Sequence, residues 1–230
     1  MLLPSSWRAL GAAAWDLLAP HCCAGCAQPG HRWCQSCRAD FATLRLVETM
    51  PVPIWALSTY RDGARRVVLA YKARRRPDLD EPLAALLRGV GRQLAPRLAP
   101  GGRLQVIPAP SGWQRRWRRA LVATRLAEAF AAGARAAAVS ATTRQVLARR
   151  GAGGNLHHLT ARQRSRRRRG HLYVRRPPAS DAPVVLIDDV LTTGATLSAA
   201  SAALTAVGCH VVGAVVLAAT ARPAPELPDD

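Results

Sequence analysis

A chain of 230 residues, 49% of them hydrophobic, has the length and apolar content for one core domain with a small appendage, which excludes a chain too polar to bury a core. Its 33 Lys and Arg against 14 Asp and Glu leave a net charge of +19, an excess that replacement of Lys by Arg through codon bias cannot create. A surplus of that size points to an anionic partner: single-stranded or duplex nucleic acid, a phosphorylated small molecule, or an acidic membrane surface. Residues 1–19 lack a basic leader and are interrupted by Arg8 and Asp16, and no later stretch is long and uncharged enough for a span. With neither a signal peptide nor a membrane span in view, the chain reads as soluble and cytoplasmic.

In residues 5–18, Trp7, Leu10, Ala14, Leu17 and Leu18 recur at near-helical spacing behind Ser5 and Ser6, either of which can cap. The spacing predicts a short amphipathic helix that Pro20 ends. Cys22, Cys23, Cys26, Cys34 and Cys37 follow, five of the six cysteines in the chain. Cys23 with Cys26, and Cys34 with Cys37, form two Cys-x-x-Cys pairs. Each pair can wrap a turn so that both sulfurs meet one ion, and two pairs complete a tetrahedral thiolate shell for zinc. The short stretch between the pairs predicts a compact knuckle, with Cys22, His21 or His31 able to replace one ligand. Disulfides are disfavoured in a reducing cytoplasm, and a thioredoxin-like redox pair lacks the preceding strand that its fold requires. Arg32 and Arg38 are placed to offset the negative charge of four thiolates on one divalent cation. Cys209, far off, reads as a plain buried thiol.

Proline-rich chain at 51–53 marks a boundary before a strand at 54–60. A helix over 64–71 leads to Lys72, the only lysine in the chain. A compact, rotatable ammonium suits a phosphate or pyrophosphate, and equally a solvated face. A second helix is expected over 83–98, broken at Pro96, and then a buried strand at 104–107 that ends in Pro108, Ala109, Pro110 and Ser111. Arg115, Arg116, Arg118 and Arg119 come directly after, interleaved with Trp113 and Trp117. Guanidinium groups pair bidentately with phosphate and Trp faces stack bases, so this cluster serves a pyrophosphate, a single strand, or simply the solvated start of a helix. A helix over 120–138, a strand or extended segment over 139–147, and a basic glycine-containing loop at 149–154 come next. Residues 162–169 hold six Arg in eight positions, an exposed block, with a small strand at 172–174 beyond.

Residues 184–196 read VVLIDDVLTTGAT. Val184, Val185, Leu186 and Ile187 form an unbroken apolar run, the mark of a parallel strand buried on both faces, and a Thr- and Gly-rich turn then opens a helix. Ligands in open α/β sheets gather just beyond the carboxyl ends of the strands. The turn from Leu191 through Thr192, Thr193, Gly194 and Ala195 to Thr196 offers backbone N–H groups, hydroxyls and a Gly that admits close approach, all at the positive end of a helix dipole, a nest suited to phosphate. Asp188 and Asp189 only accept hydrogen bonds when ionised, so they must face a donor: vicinal sugar hydroxyls, with a divalent ion as the second reading. A turn whose Asp and Thr merely cap a helix is the bland alternative. A helix over 197–207 with Gly208 as its C-cap and a strand over 210–217 complete a βαβ unit. Residues 222–230, with three Pro and three acids, read as a disordered tail.

Asp188-Asp189 followed by Val-Leu-Thr-Thr-Gly-Ala-Thr resembles the ribose-5-phosphate fingerprint of type I phosphoribosyltransferases. That resemblance implies a mostly parallel sheet with helices on both faces, phosphoribosyl pyrophosphate as ligand, Asp188 and Asp189 on the ribose hydroxyls and Leu191 to Thr196 on the 5-phosphate. It also implies pyrophosphate at the strand-end loop near Ser111, with Lys72, Arg115, Arg116, Arg118 and Arg119 as candidates to hold it, and magnesium bridging the leaving group. The order of parts is similar to the ComF family of competence-associated, phosphoribosyltransferase-like proteins: short helix, four-cysteine knuckle, Tyr60-Arg-Asp-Gly63 leading to a lysine, Pro108-Ala-Pro110, an Arg-rich loop and the acidic motif. The family likeness implies an N-terminal helix and zinc-binding module at 1–50, a phosphoribosyltransferase-like domain at 51–221, and partners in single-stranded DNA and the DNA-uptake machinery. The chain departs from that family at Arg118-Arg119-Ala120-Leu121, where a Gly-containing turn is usual, and no residue stands out as a general base.

Overall fold

The structure, a computed structural model, describes residues 21–48, 51–73, 76–110, 116–149, 172–177 and 181–220, with the side chains of 116–121 outside that description. In chain order the elements are α1 (Gln35–Ala39), β1 (Arg45–Glu48), β2 (Ile54–Thr59), α2 (Asp62–Lys72), a 3-10 turn (Pro77–Leu79) and α3 (Asp80–Leu98). Then come β3 (Arg103–Pro108), α4 (Arg116–Ala136), β4 (Ser140–Thr143), β5 (Leu147–Arg149), β6 (Leu172–Val174), β7 (Val184–Leu191), α5 (Ala195–Thr205) and β8 (Val211–Ala219).

Among the described residues, six strands make one sheet in the order β1-β2-β8-β7-β3-β4. β2, β8, β7, β3 and β4 run parallel, and β1 closes one edge antiparallel to β2. The sheet is therefore mixed and mostly parallel, as expected from the unbroken apolar runs of β7 and β8. Strand alternation sends Val184 and Leu186 to one face, against Leu197, Ala200 and Leu204 of α5. Val185 and Ile187 go to the other, against Val67 of α2 and Leu126 and Phe130 of α4. β5 and β6 pair antiparallel as a separate ribbon, and Leu147 and Leu172 seat it on the α5 face.

Several expected bounds move. β7 continues past Ile187 to Leu191 and so carries both acids, because β8 keeps pairing with it as far as Ala219. α3 starts at Asp80 and passes through Pro96 without the expected break. A proline so near the end costs the helix one backbone bond, and Ala99 N–H still closes on Ala95 C=O at 2.9 Å. The segment at 139–147 is two elements: β4 joins the main sheet and β5 turns away to meet β6. β1 was not expected at all. It lies in the stretch read as the N-terminal module, and Cys23, Trp33, Cys34, Cys37 and Phe41 of that stretch share one core with Ala64, Val67 and Val68 of α2. The helix at 5–18, the Arg block at 162–169 and the tail at 222–230 lie outside the described residues.

Candidate functional site

The carboxyl ends of the parallel strands meet on one edge of the sheet, and backbone bonds draw them together there. Ala109 N–H donates to Ile187 C=O at 2.8 Å, Thr220 N–H to Leu191 C=O at 2.9 Å and Tyr60 N–H to Ala219 C=O at 2.7 Å. Asp188 and Asp189 stand at this mouth, half-buried rather than turned into the apolar interior. The alternation that takes Val185 and Ile187 toward α2 takes Asp189 the same way, and Lys72 Nζ lies 2.6 Å from its Oδ1. Asp188 receives the N–H of Asp189 at 2.8 Å. Burial first, then the charge of Asp189, push the Asp188 carboxyl up to about 7, against the pull of that N–H and of Lys72.

The turn after β7 reverses at Gly194, whose φ of +71° lies in the left-handed region that side chains resist. Thr193 Oγ1 accepts from Ala195 N–H at 3.4 Å. The first helical bond runs from Ser198 N–H to Gly194 C=O at 2.9 Å, so the amides of Thr196 and Leu197 precede the helical ladder at the positive end of α5. Thr220 Oγ1 braces the turn from the end of β8, donating to Thr192 C=O at 3.2 Å. Beside it opens a cleft of about 210 Å³ lined by Arg45, Val47, Ala56, Ser58, Thr59, Ala219 and Thr220.

Of the expected site residues, Asp188, Asp189, the turn from Leu191 to Thr196 and Lys72 come together. Ser111 and Arg115 lie outside the described residues. Arg116, Arg118 and Arg119 fall in the first turn of α4, with side chains beyond the description. Arg149 lies in a stretch whose composition reads as a loop, but it ends β5, and its Nη2 donates to Pro110 C=O at 3.3 Å, just past the end of β3. Its Nε is buried with no partner among the described residues. Only the fold of β5 over β3 brings it there, so no local signal marked it.

The second centre is the cysteine cluster. The sulfurs of Cys23, Cys26, Cys34 and Cys37 all lie within 4.8 Å of one another, with Cys23 to Cys34 at 3.6 Å and Cys26 to Cys34 at 3.7 Å. A tetrahedron with metal–sulfur bonds of about 2.3 Å has edges of roughly 3.8 Å, so the four fit one ion. The N–H groups of Gly25 and Cys34 each point at Cys23 Sγ at 3.4 Å. Burial alone would raise the Cys23 thiol, but backbone donors from Cys26, Cys34 and Gly25 outweigh it and bring it down to about 6. Burial and the neighbouring thiols push Cys37 the other way. His21 and His31 face elsewhere, toward Arg32 and Pro29 C=O, so they are not in the cluster. Arg38 stacks over Trp33 and donates to Trp33 C=O, while the guanidiniums that grip the cysteine loop itself are Arg66 and Arg76.

Residues 147–230 match the family model described as the phosphoribosyl transferase domain, a stretch that runs from β5 through β8 and covers a little over a third of the chain. No curated protein matches the chain. Among solved structures, a hypoxanthine phosphoribosyltransferase from Staphylococcus aureus is similar at 14% identity, over 60% of this chain and 62% of that one, with a TM-score of 0.33. No helix of the described residues is long and apolar enough to cross a membrane.

A Cβ at position 25 would stand 2.6 Å from Cys37 Sγ, so Gly25→Ala is expected to weaken metal binding by about 10- to 100-fold in competition with a chromophoric chelator. Unchanged affinity would show that Cys37 is not held at the cluster. The raised Asp188 carboxyl makes a second test. Between the unfolded value of about 4 and the folded value of about 7 the native chain holds the extra proton, so this group's contribution to stability is full at low pH and is lost as pH rises through 7. Unfolding midpoints of wild type and Asp188→Asn, compared from pH 4 to 8, are expected to diverge in favour of the Asn variant as pH rises. A constant difference would contradict the assignment.

Proposed function

We propose that the chain binds phosphoribosyl pyrophosphate at the end of β7 and transfers its phosphoribosyl group, as a ComF-type protein of the DNA-uptake apparatus. The observation that carries this reading is the pair of half-buried carboxylates at the end of the central parallel strand, followed at once by a Thr-Thr-Gly turn at the start of α5. The phosphoribosyl transferase match over the same stretch supports it.

In this reading Asp188 and Asp189 accept from the vicinal hydroxyls of the ribose, and the turn from Leu191 to Thr196 donates amides and hydroxyls to the 5-phosphate. Arg149, and the Arg115 to Arg119 cluster with Ser111, supply donors for the pyrophosphate as the C1–oxygen bond breaks and the acceptor bonds to C1. Magnesium carried in on the pyrophosphate would offset the charge of the leaving group. The acids at the mouth suit that role better than a protein-held ion, since one of the two is already paired with Lys72. Cys23, Cys26, Cys34 and Cys37 would hold zinc in a structural role, since four thiolates would leave no open position on it.

Titration of magnesium phosphoribosyl pyrophosphate by calorimetry tests the reading. Each carboxylate lost removes charge-assisted bonds to a hydroxyl, so Asp188→Ala with Asp189→Ala is expected to weaken binding by about 100-fold or more. Equal affinity for wild type and the double variant would sink the ribose assignment. The surplus of +19 favours a second reading, a non-catalytic single-stranded-DNA-binding protein that uses the fold as a ligand sensor or scaffold. Affinity for an oligonucleotide should then fall steeply from 50 to 200 mM salt, by about 10-fold or more. A flat response would remove the phosphate contacts.

A further inference from the structure

The helix that ends in Lys72 is held at two places by the cysteine loop. At its start, Gly63 faces Gly25 so closely that a Cβ on Gly63 would lie 3.6 Å from the Gly25 carbonyl carbon, and Arg66 Nε donates to the Gly25 C=O. Gly25 is the turn between Cys23 and Cys26. Just past its end, Arg76 bridges back: Nη1 donates to Cys22 C=O at 2.9 Å and Nη2 to Arg32 C=O at 2.7 Å. Asp78 holds that guanidinium in place with bonds of 2.9 and 2.8 Å, and those hydrogen bonds from Arg76, with its charge, keep the Asp78 carboxyl below its ordinary range. Between these grips, Val67, Val68 and Tyr71 are sealed in the core, so α2 cannot slide without disturbing it.

The loop that provides these acceptors has little regular structure of its own. α1 spans five residues, too few to stand alone, and the turn before it rests on a few backbone bonds around the four sulfurs. A metal that ties Cys23, Cys26, Cys34 and Cys37 together therefore fixes the carbonyls that Arg66 and Arg76 hold. Lys72 stands between those two arginines in sequence, and its ammonium is the cation on Asp189.

We propose that Lys72 is a positioning residue that holds Asp189 at the mouth of the site, and that occupancy of the four-cysteine cluster sets where Lys72 stands, so that metal and ligand bind with thermodynamic linkage. The ligand half of this inference rests on the phosphorylated-pentose reading above; the mechanical half does not. Linkage is reciprocal: if metal raises ligand affinity by a given factor, ligand raises metal affinity by the same factor.

Hydrogen exchange on the full chain tests the mechanical half. Removing zinc with a chelator under reducing conditions is expected to speed exchange in α2 and at the amides of Asp188 to Leu191 as well as in the cysteine loop, while α4 and β4 keep their protection. Zinc-loaded Arg76→Ala, which keeps the cluster and so avoids general unfolding, is expected to speed exchange at α2 and Asp188 to Leu191 in the same way. Faster exchange confined to residues 21–40 on stripping, together with unaltered exchange at Asp188 to Leu191 in Arg76→Ala, would overturn the inference. The ligand half is read from zinc release to a chromophoric chelator with and without phosphoribosyl pyrophosphate. Zinc is expected to bind about fivefold or more tightly with ligand present, an effect lost in Lys72→Met and restored in Lys72→Arg. Ligand that binds wild type without altering zinc affinity would refute the linkage. Absence of any ligand binding would instead refute the pentose reading and leave the exchange result to decide the mechanical half.

Discussion

Two adjacent carboxylates at the end of a strand buried on both faces cannot both be ionised cheaply, and the site is arranged around that constraint. Lys72 neutralises Asp189 at 2.6 Å, and Asp188 answers by holding its proton until about pH 7. The local charge is then close to balanced without a ligand. A sugar with vicinal hydroxyls can add donors at the acceptor positions of the two side chains that Lys72 and the Asp189 N–H leave open. The turn beyond, with its amides at the start of α5, has the opposite character and wants an anion. Acceptors and donors set side by side in this way match a molecule that carries hydroxyls next to a phosphate.

Where Lys72 stands is decided on the far side of α2. The cysteine loop provides the carbonyls to which Arg66 and Arg76 are bonded, and Gly25 lets the loop back against Gly63 and Cys37 at once. The stretch at 21–48 thus contributes an edge strand to the sheet, residues to the core, and the fastening for the helix that delivers the site's ammonium. Four thiolates closed around one ion would leave no open position for chemistry, so an ion held there would act on the site only through the loop that it fastens.

The parts legible in the sequence were those with a local physical signature. The run Val184 to Ile187 could only be a strand buried on both faces, and Thr-Thr-Gly-Ala-Thr after two acids could only be a turn into a helix. The two Cys-x-x-Cys pairs likewise announced their convergence, and the sulfurs of Cys23, Cys26, Cys34 and Cys37 do meet. What was not legible depended on distant partners. Arg45 to Glu48 is too short to show a period, and it becomes a strand because β2 offers an edge. Pro96 looked like a break because the rule against proline is strongest in mid-helix and weak in the last turn. Lys72 stands out as the only lysine and reads as a cation for a phosphate, but its partner in the structure is Asp189, more than a hundred positions away, and Arg149 likewise reaches the distant Pro110 carbonyl.

A phosphorylated pentose seated between the two aspartates and the Thr-Gly turn is examined most directly by a crystal structure of the chain soaked with ribose 5-phosphate. The expected density puts the sugar's vicinal hydroxyls within hydrogen-bond distance of Asp188 and Asp189, and its phosphate on the amides of residues 193–196. A sugar phosphate held elsewhere, or a phosphate at the turn with the ribose directed away from both carboxylates, would contradict it.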